Sequence, residues 1–232
     1  MMELHVLSAG AAKGLVDALA PDLELAAGAT LRGEFGAVGA IKERWLGGAP
    51  CDVIILTHAM LDALARDGRV VPETITPLGR VRTGIAVRVG EALPAIADRE
   101  ELRQSLATAK TIYLPDPERS TAGVHFIKVL RELAIHDVVA SRLHAFPNGA
   151  IAMRELGQSR EPGQIGCTQI TEINYTPGVV LVGPLPTEFE LATVYAVGVA
   201  TSARQPAAAR RVVQMLSEQA TRELRRKGGF EV

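Results

Sequence analysis

Short apolar runs alternate with amphipathic helical stretches along this chain, and that alternation restricts its fold more than any other feature. Leu4-His5-Val6-Leu7 leads through Ser8-Ala9-Gly10-Ala11-Ala12 into a helix over Lys13 to Ala20, and Thr30 to Phe35 leads into a helix from about Val38 to Leu46. Val53 to Leu56, followed by His58 to Arg66, repeats the unit. Strand and helix in this rhythm predict an α/β fold with a parallel sheet. The strand Val81 to Val89, preceded by the turn-rich Thr76-Pro77-Leu78-Gly79, is where the chain is expected to leave its first lobe. A second series follows: a strand Thr111 to Leu114, helices Thr121 to Leu133 and Gly149 to Leu156, and a strand Ile165 to Thr168. Leu191 to Ala200 then reads as a long strand and Pro206 to Arg226 as one amphipathic helix. The expected organisation is a first lobe of residues 1–82 and 192–232, a second of 83–191, and a central cleft lined by strand-to-helix turns.

Two segments say what such a cleft would hold. Phe35-Gly36-Ala37-Val38-Gly39-Ala40-Ile41 is a glycine-punctuated turn opening a helix, and Gly48-Ala49-Pro50-Cys51-Asp52-Val53 closes that helix and enters a buried strand. Such a turn leaves backbone N–H groups at the positive end of a helix dipole, which is a seat for an anion. A small anion is therefore the expected partner.

Charge and cysteine usage narrow the alternatives. Lys+Arg of 25 against Asp+Glu of 26 leaves a net charge of -1, so there is no basic field for nucleic acid. Cys51 and Cys167 sit alone in apolar strands and read as buried free thiols, and no paired spacing indicates a metal site. No hydrolase elbow or nucleotide loop is present, and no cofactor is expected. No apolar run is long enough for membrane insertion. The first strand begins almost at once, leaving no room for a signal peptide. The expected compartment is the cytoplasm, or the periplasm if a signal peptide has been removed.

The turn after the first strand, the Phe35 turn ahead of Gly-Ala-Pro-x-Asp-Val, Asp116-Pro117 followed by Ala122-Gly123, and the late Ile165-Gly166 strand together resemble the molybdate-binding proteins of ABC transporters. The resemblance spans most of the chain. It implies a two-lobed type II periplasmic-binding-protein fold closing on a small anion, with an ABC-transporter permease as a possible partner. Placed on this chain, the serine that such proteins carry in the first turn falls at about Ala11. Their serine cluster falls at Ala37, Val38 and Gly39, their backbone donors at Ala122 and Gly149, and their late tyrosine at Gln169. Every side-chain donor of that set is missing. Each charged hydrogen bond lost would remove roughly 1.5–3 kcal/mol, so an organic carboxylate with an apolar portion toward Ala37 and Val38 is expected in place of molybdate.

The expected ligand-binding residues are Ser8, Ala9, Gly10, Ala11, Ala37, Val38, Gly39, Arg82, Ser120, Thr121, Ala122, Asn148, Gly149 and Gln169. Ser8 and the Ser120-Thr121 pair offer hydroxyls, which serve helix caps equally well. Gln169 offers an amide N–H, and Arg82 a bidentate guanidinium. The same family includes aconitate isomerases, and resemblance to that branch implies an alternative activity, an allylic proton shift in a tricarboxylate. Such a reaction needs a base, for which His58 and His125 are the candidates, each equally readable as structural. A third reading is a cytoplasmic ligand sensor that uses lobe closure to control a partner protein.

Overall fold

The computed structural model describes residues 2–232, and the chain divides into two compact units, Met1–Val81 with Thr193–Val232, and Arg82–Ala192. In chain order the first unit holds β1 (Glu3–Ala9), α1 (Lys13–Ala27), β2 (Thr30–Gly36), α2 (Val38–Leu46), β3 (Val53–Thr57) and α3 (His58–Arg66). Strand β4 (Thr76–Arg88) carries the chain into the second unit. There follow α4 (Arg99–Thr108), β5 (Thr111–Pro115), α5 (Thr121–Glu132), α6 (His136–Val139), β6 (Leu143–Phe146), α7 (Gly149–Gln158), β7 (Gln164–Gln169), α8 (Ile170–Asn174) and β8 (Val179–Pro184). The chain returns through β9 (Ala192–Val199) and ends with α9 (Pro206–Ser217) and α10 (Arg222–Gly228).

In the first unit β1 lies between β2 and β3, parallel to both, with Ser8 opposite Phe35 on one side and Ile55 on the other. Strand β9 adds antiparallel to β3. The uninterrupted apolar run Val53-Ile54-Ile55-Leu56 belongs to a strand covered on both faces, and all four side chains are buried. Asp52, at the head of that strand, is also buried, and its carboxylate accepts from the backbone N–H of His5 (2.8 Å), Arg204 (2.6 Å) and Gln205 (3.1 Å). The aspartate of the Gly-Ala-Pro-x-Asp-Val segment thus ties β1 and β3 to the chain entering α9. Cys51 and Cys167 are buried and free, and Trp45 lies in the core.

In the second unit β5 runs parallel to β6 and β7, while β4 runs antiparallel to both β7 and β8. Ile85, Val87, Ile165, Cys167 and Phe126 share one apolar cluster; Ala86, Tyr113, Met153 and Leu156 share another. Alternate residues of β4 and β7 therefore face opposite sides of the sheet, one toward α5 and one toward α7.

Several elements differ from the sequence reading. Thr76 to Gly79 is strand, not turn, because the chain's last residues pair with it: Arg80 and Glu231 exchange backbone hydrogen bonds of 2.9 and 2.8 Å. The C-terminal helix is broken after Ser217, where Glu218 takes an extended conformation. Buried Arg225 holds the break by donating to the carbonyls of Ser217, Glu218 and Leu78 at 3.0, 2.9 and 2.8 Å. Helix α1 continues to Ala27 past Pro21. Helix α4 was passed over although Asp98 and Glu101 mark its start: Asp98 caps the N–H of Glu101 at 2.9 Å, and Glu101 reaches back to that of Ala97 at 2.8 Å.

Candidate functional site

Because β1, β2 and β3 are parallel, their carboxyl ends share one edge of the first unit, and three expected groups lie along it: Ser8 to Ala11 after β1, Ala37 to Gly39 after β2, and His58 after β3. Ala37 precedes α2 without a side-chain cap, so the first-turn donors of that helix have no hydroxyl or carboxylate set against them from the Ncap position. Ala37 and Val38 are nearly buried, at 5% and 6% exposure, and present only methyl groups. Ser8 is fully buried and donates its hydroxyl to the carbonyl of Ala9 at 2.9 Å. His58 opens α3, whose start is capped by Thr57, and its Nε2 lies 3.5 Å from Asp62 on the exposed side of that helix. Lys13 pairs with Asp17 and lies 4.8 Å from the centre of the Phe35 ring.

The second unit has the corresponding edge at the carboxyl ends of β5, β6 and β7, where Ser120 to Ala122, Asn148 and Gly149, and Gln169 are found. Strand β4 reaches the same edge in the opposite direction, with Thr83 directly opposite Gln169. Ser120 caps α5, accepting from the N–H of Gly123 at 3.3 Å, while the carbonyl of Ser120 takes that of Val124 at 2.9 Å. The N–H groups of Thr121 and Ala122 have no acceptor among the described residues. Gly123 is required here, since a Cβ would stand 2.3 Å from the Asp116 carbonyl oxygen. Arg82, which follows the crossing between units, has a carboxylate of its own: Nη1 is 3.6 Å from Glu190. His125, in the second turn of α5, is held by its Nε2, 2.7 Å from the carbonyl of Phe189.

Helix α7 begins differently. Asn148 caps the N–H of Ile151 at 2.9 Å, and a carboxyl-bearing side chain, that of Glu172, is buried against the same helix start. Glu172 accepts a 2.5 Å hydrogen bond from the Thr168 hydroxyl, and the backbone N–H groups of Ala150, Gln169 and Gly149 act on its carboxyl group. Burial pushes Glu172 above the usual carboxyl range, opposed by the hydroxyl and the three N–H groups, which favour the charged form. A Cβ on Gly149 would stand 2.0 Å from Glu172 Oε2 and 1.9 Å from Thr168 Oγ1, so the missing side chain makes room for the carboxyl.

Against that sealed start, the end of β7 and the strand opposite it carry polar groups without a partner among the described residues. Gln169 is 3% exposed, and neither its amide nitrogen nor its oxygen has a partner; the Thr83 and Thr171 hydroxyls are equally unpartnered and buried. Buried polar atoms are rarely left in this state. Thr83 and Gln169 stand opposite each other at the strand-end edge, which makes this edge the candidate site.

Residues 4–231 match the family model described as bacterial extracellular solute-binding protein. The chain belongs to this family. Among individual proteins, an aconitate isomerase from Pseudomonas sp is 29% identical over 223 residues, covering 92% of this chain and 82% of that protein. Of solved structures, the periplasmic molybdate-binding protein of Azotobacter vinelandii superposes with a TM-score of 0.80 at 16% identity, covering 99% of each chain. The sulfate-binding protein SubI of Mycobacterium tuberculosis H37Rv gives 0.76 at 15% identity, over 99% of this chain and 86% of that one. These structural likenesses are of fold and assign the chain the two-lobed periplasmic-binding-protein architecture.

Three polar groups of this solute-binding protein escaped the sequence reading. Glu172 lies three residues after Gln169, and its only sequence signal was an acidic residue in an otherwise neutral, strand-following stretch, Gln169-Ile170-Thr171-Glu172. Thr171 stood in the same stretch. Thr83 carried no signal at all, because its place opposite Gln169 is set by long-range pairing.

Proposed function

We propose that this solute-binding protein takes a small organic carboxylate in place of a metal oxyanion, with tricarboxylates of the aconitate type as the substrate class. The observation that carries the reading is Gln169, a buried amide with donor and acceptor both unpaired. Nε2 can donate to a carboxylate oxygen, while Oε1 calls for a donor, which a protonated carboxyl or a hydroxyl-bearing tricarboxylate such as citrate offers and a fully ionised tetrahedral oxyanion does not. The unclaimed N–H groups at the start of α5 suit a charged carboxylate. The aconitate isomerase relative, similar over 92% of the chain, supports the same substrate class. As a receptor, the protein would work in the periplasm and deliver its solute to an ABC-transporter permease.

That relative also favours a second reading, in which the bound tricarboxylate undergoes an allylic proton shift. A base would then be required, and His125 has one feature of an oriented base: a carbonyl can only accept, so the bond to Phe189 assigns the proton to Nε2 and leaves Nδ1 as the acceptor. His58, beside Asp62 at the exposed start of α3, has no comparable anchor. Incubation with trans-aconitate, followed by proton NMR, separates the two readings. A receptor returns the compound unchanged, and an isomerase produces the cis isomer. Failure of any aconitate, citrate or other tricarboxylate to bind would remove both.

A further inference from the structure

The two helix starts at the strand-end edge of the second unit are not equivalent. Both helices exceed two turns, α5 with 12 residues and α7 with 10, and both follow parallel strands, the arrangement that seats anions in open α/β sheets. At α5 two first-turn N–H groups remain unclaimed, and buried, unpartnered Gln169 lies on the sheet face toward that helix. At α7 the space is filled from within. The Glu172 carboxyl group lies where an anion at this helix start would lie, anchored by Thr168 and fitted against Gly149, whose lack of a side chain is what admits it.

We propose that Glu172 is a specificity-determining residue: by occupying the start of α7 it closes that seat to any ligand oxygen, so that a ligand's anionic group is received at α5 alone. The inference rests on the carboxylate reading above for the identity of the ligand, but not for the closed seat itself. Closure is a matter of volume as much as charge. A glutamine at position 172 keeps the volume and still fills the seat, whereas an alanine empties it. Emptied, the α7 start becomes a pocket with the dimensions and donors of the group removed, suited to a small free carboxylate.

Formate is therefore the probe. Thermal unfolding is followed for the wild type, Glu172→Ala, Glu172→Gln and Glu172→Asp in sodium formate and in sodium chloride of equal ionic strength. Glu172→Ala should be stabilised by formate, by roughly 5 °C or more at a hundredfold excess over its dissociation constant. Wild type and Glu172→Gln should respond alike, with no more than the shift that formate at the open α5 start gives, and Glu172→Ala should exceed both. Glu172→Asp, shortened by one methylene and withdrawn from Gly149, should show a smaller shift, and it decides the matter if the alanine variant does not fold. Equal responses to formate in wild type and in the alanine or aspartate variant would overturn the proposal. A parallel titration of wild type with trans-aconitate tests the carboxylate reading alone: its failure leaves the formate result standing, and the reverse is equally distinguishable.

Discussion

Thr83 on β4 and Gln169 on β7 stand directly opposite one another across an antiparallel pair, both almost fully buried, and neither side chain makes a hydrogen bond. Leaving a buried donor or acceptor unsatisfied raises the free energy by about 1–3 kcal/mol per group. On the carboxylate reading, this pair is completed by the ligand.

Thr83→Val keeps the shape and removes the unpaired hydroxyl. Its melting temperature without ligand should rise, by about 2–4 °C for each kcal/mol recovered. The additional stabilisation by a bound tricarboxylate should fall in the same variant, and in Gln169→Leu. Calorimetry with and without ligand measures both effects, and a valine variant that melts lower than wild type would show that the hydroxyl is satisfied.

Glu172 gives a pH dependence whose sign is fixed by its burial. Its carboxyl holds a proton more tightly folded than unfolded, since its value is raised above 4.5. The associated stability is fully present below the unfolded value and is lost as pH rises through the folded one. Urea unfolding between pH 4 and pH 8 should therefore show wild type losing stability relative to Glu172→Gln as pH rises from about 4.5, the difference levelling once Glu172 is ionised in both states. A difference of opposite slope would mean that Thr168 and the backbone N–H groups outweigh burial.

The side-chain caps of α5 and α7 should contribute independently. Ser120→Ala and Asn148→Ala are each expected to lower stability by about 1 kcal/mol, and the glycine replacements by only a few tenths. Urea titration of the single and double variants checks the magnitude and the additivity expected for caps on separate helices.

Both thiols should be inert in the folded protein. Burial pushes Cys51 up to about 12, and fully buried Cys167 well above its ordinary value. A colourless aromatic disulfide reagent that releases colour on thiol exchange should detect neither at pH 8 and both in denaturant.

Most of the architecture was legible because it is locally encoded. The runs Val53 to Leu56 and Ile165 to Thr168 announced buried strands, and the Phe35 turn announced α2. Failures came where distant segments decide local structure. Thr76 to Gly79 reads as a turn until the C-terminal residues pair beside it, and the break before α10 depends on Arg225 reaching back to the carbonyls of Ser217 and Glu218. The candidate edge follows the same division. Ser120 was evident from cap chemistry and Ala37 from the glycine-punctuated Phe35 turn, whereas Gly149 with Asn148, and Gln169, were placed by the resemblance to molybdate-binding proteins. Thr83 was hidden because cross-strand register is not written in its neighbourhood, and Glu172 because nothing near it in sequence discloses Gly149, 23 positions earlier, as the residue that accommodates it.

The preference for a carboxylate over a metal oxyanion is tested most directly by thermal unfolding with trans-aconitate, cis-aconitate, citrate, molybdate, tungstate and sulfate at matched ionic strength. A tricarboxylate is predicted to stabilise the protein, by about 2.7 kcal/mol at a hundredfold excess over its dissociation constant, and the oxyanions are predicted to leave the melting temperature unchanged. Stabilisation by molybdate or tungstate, with no response to any tricarboxylate, would contradict it.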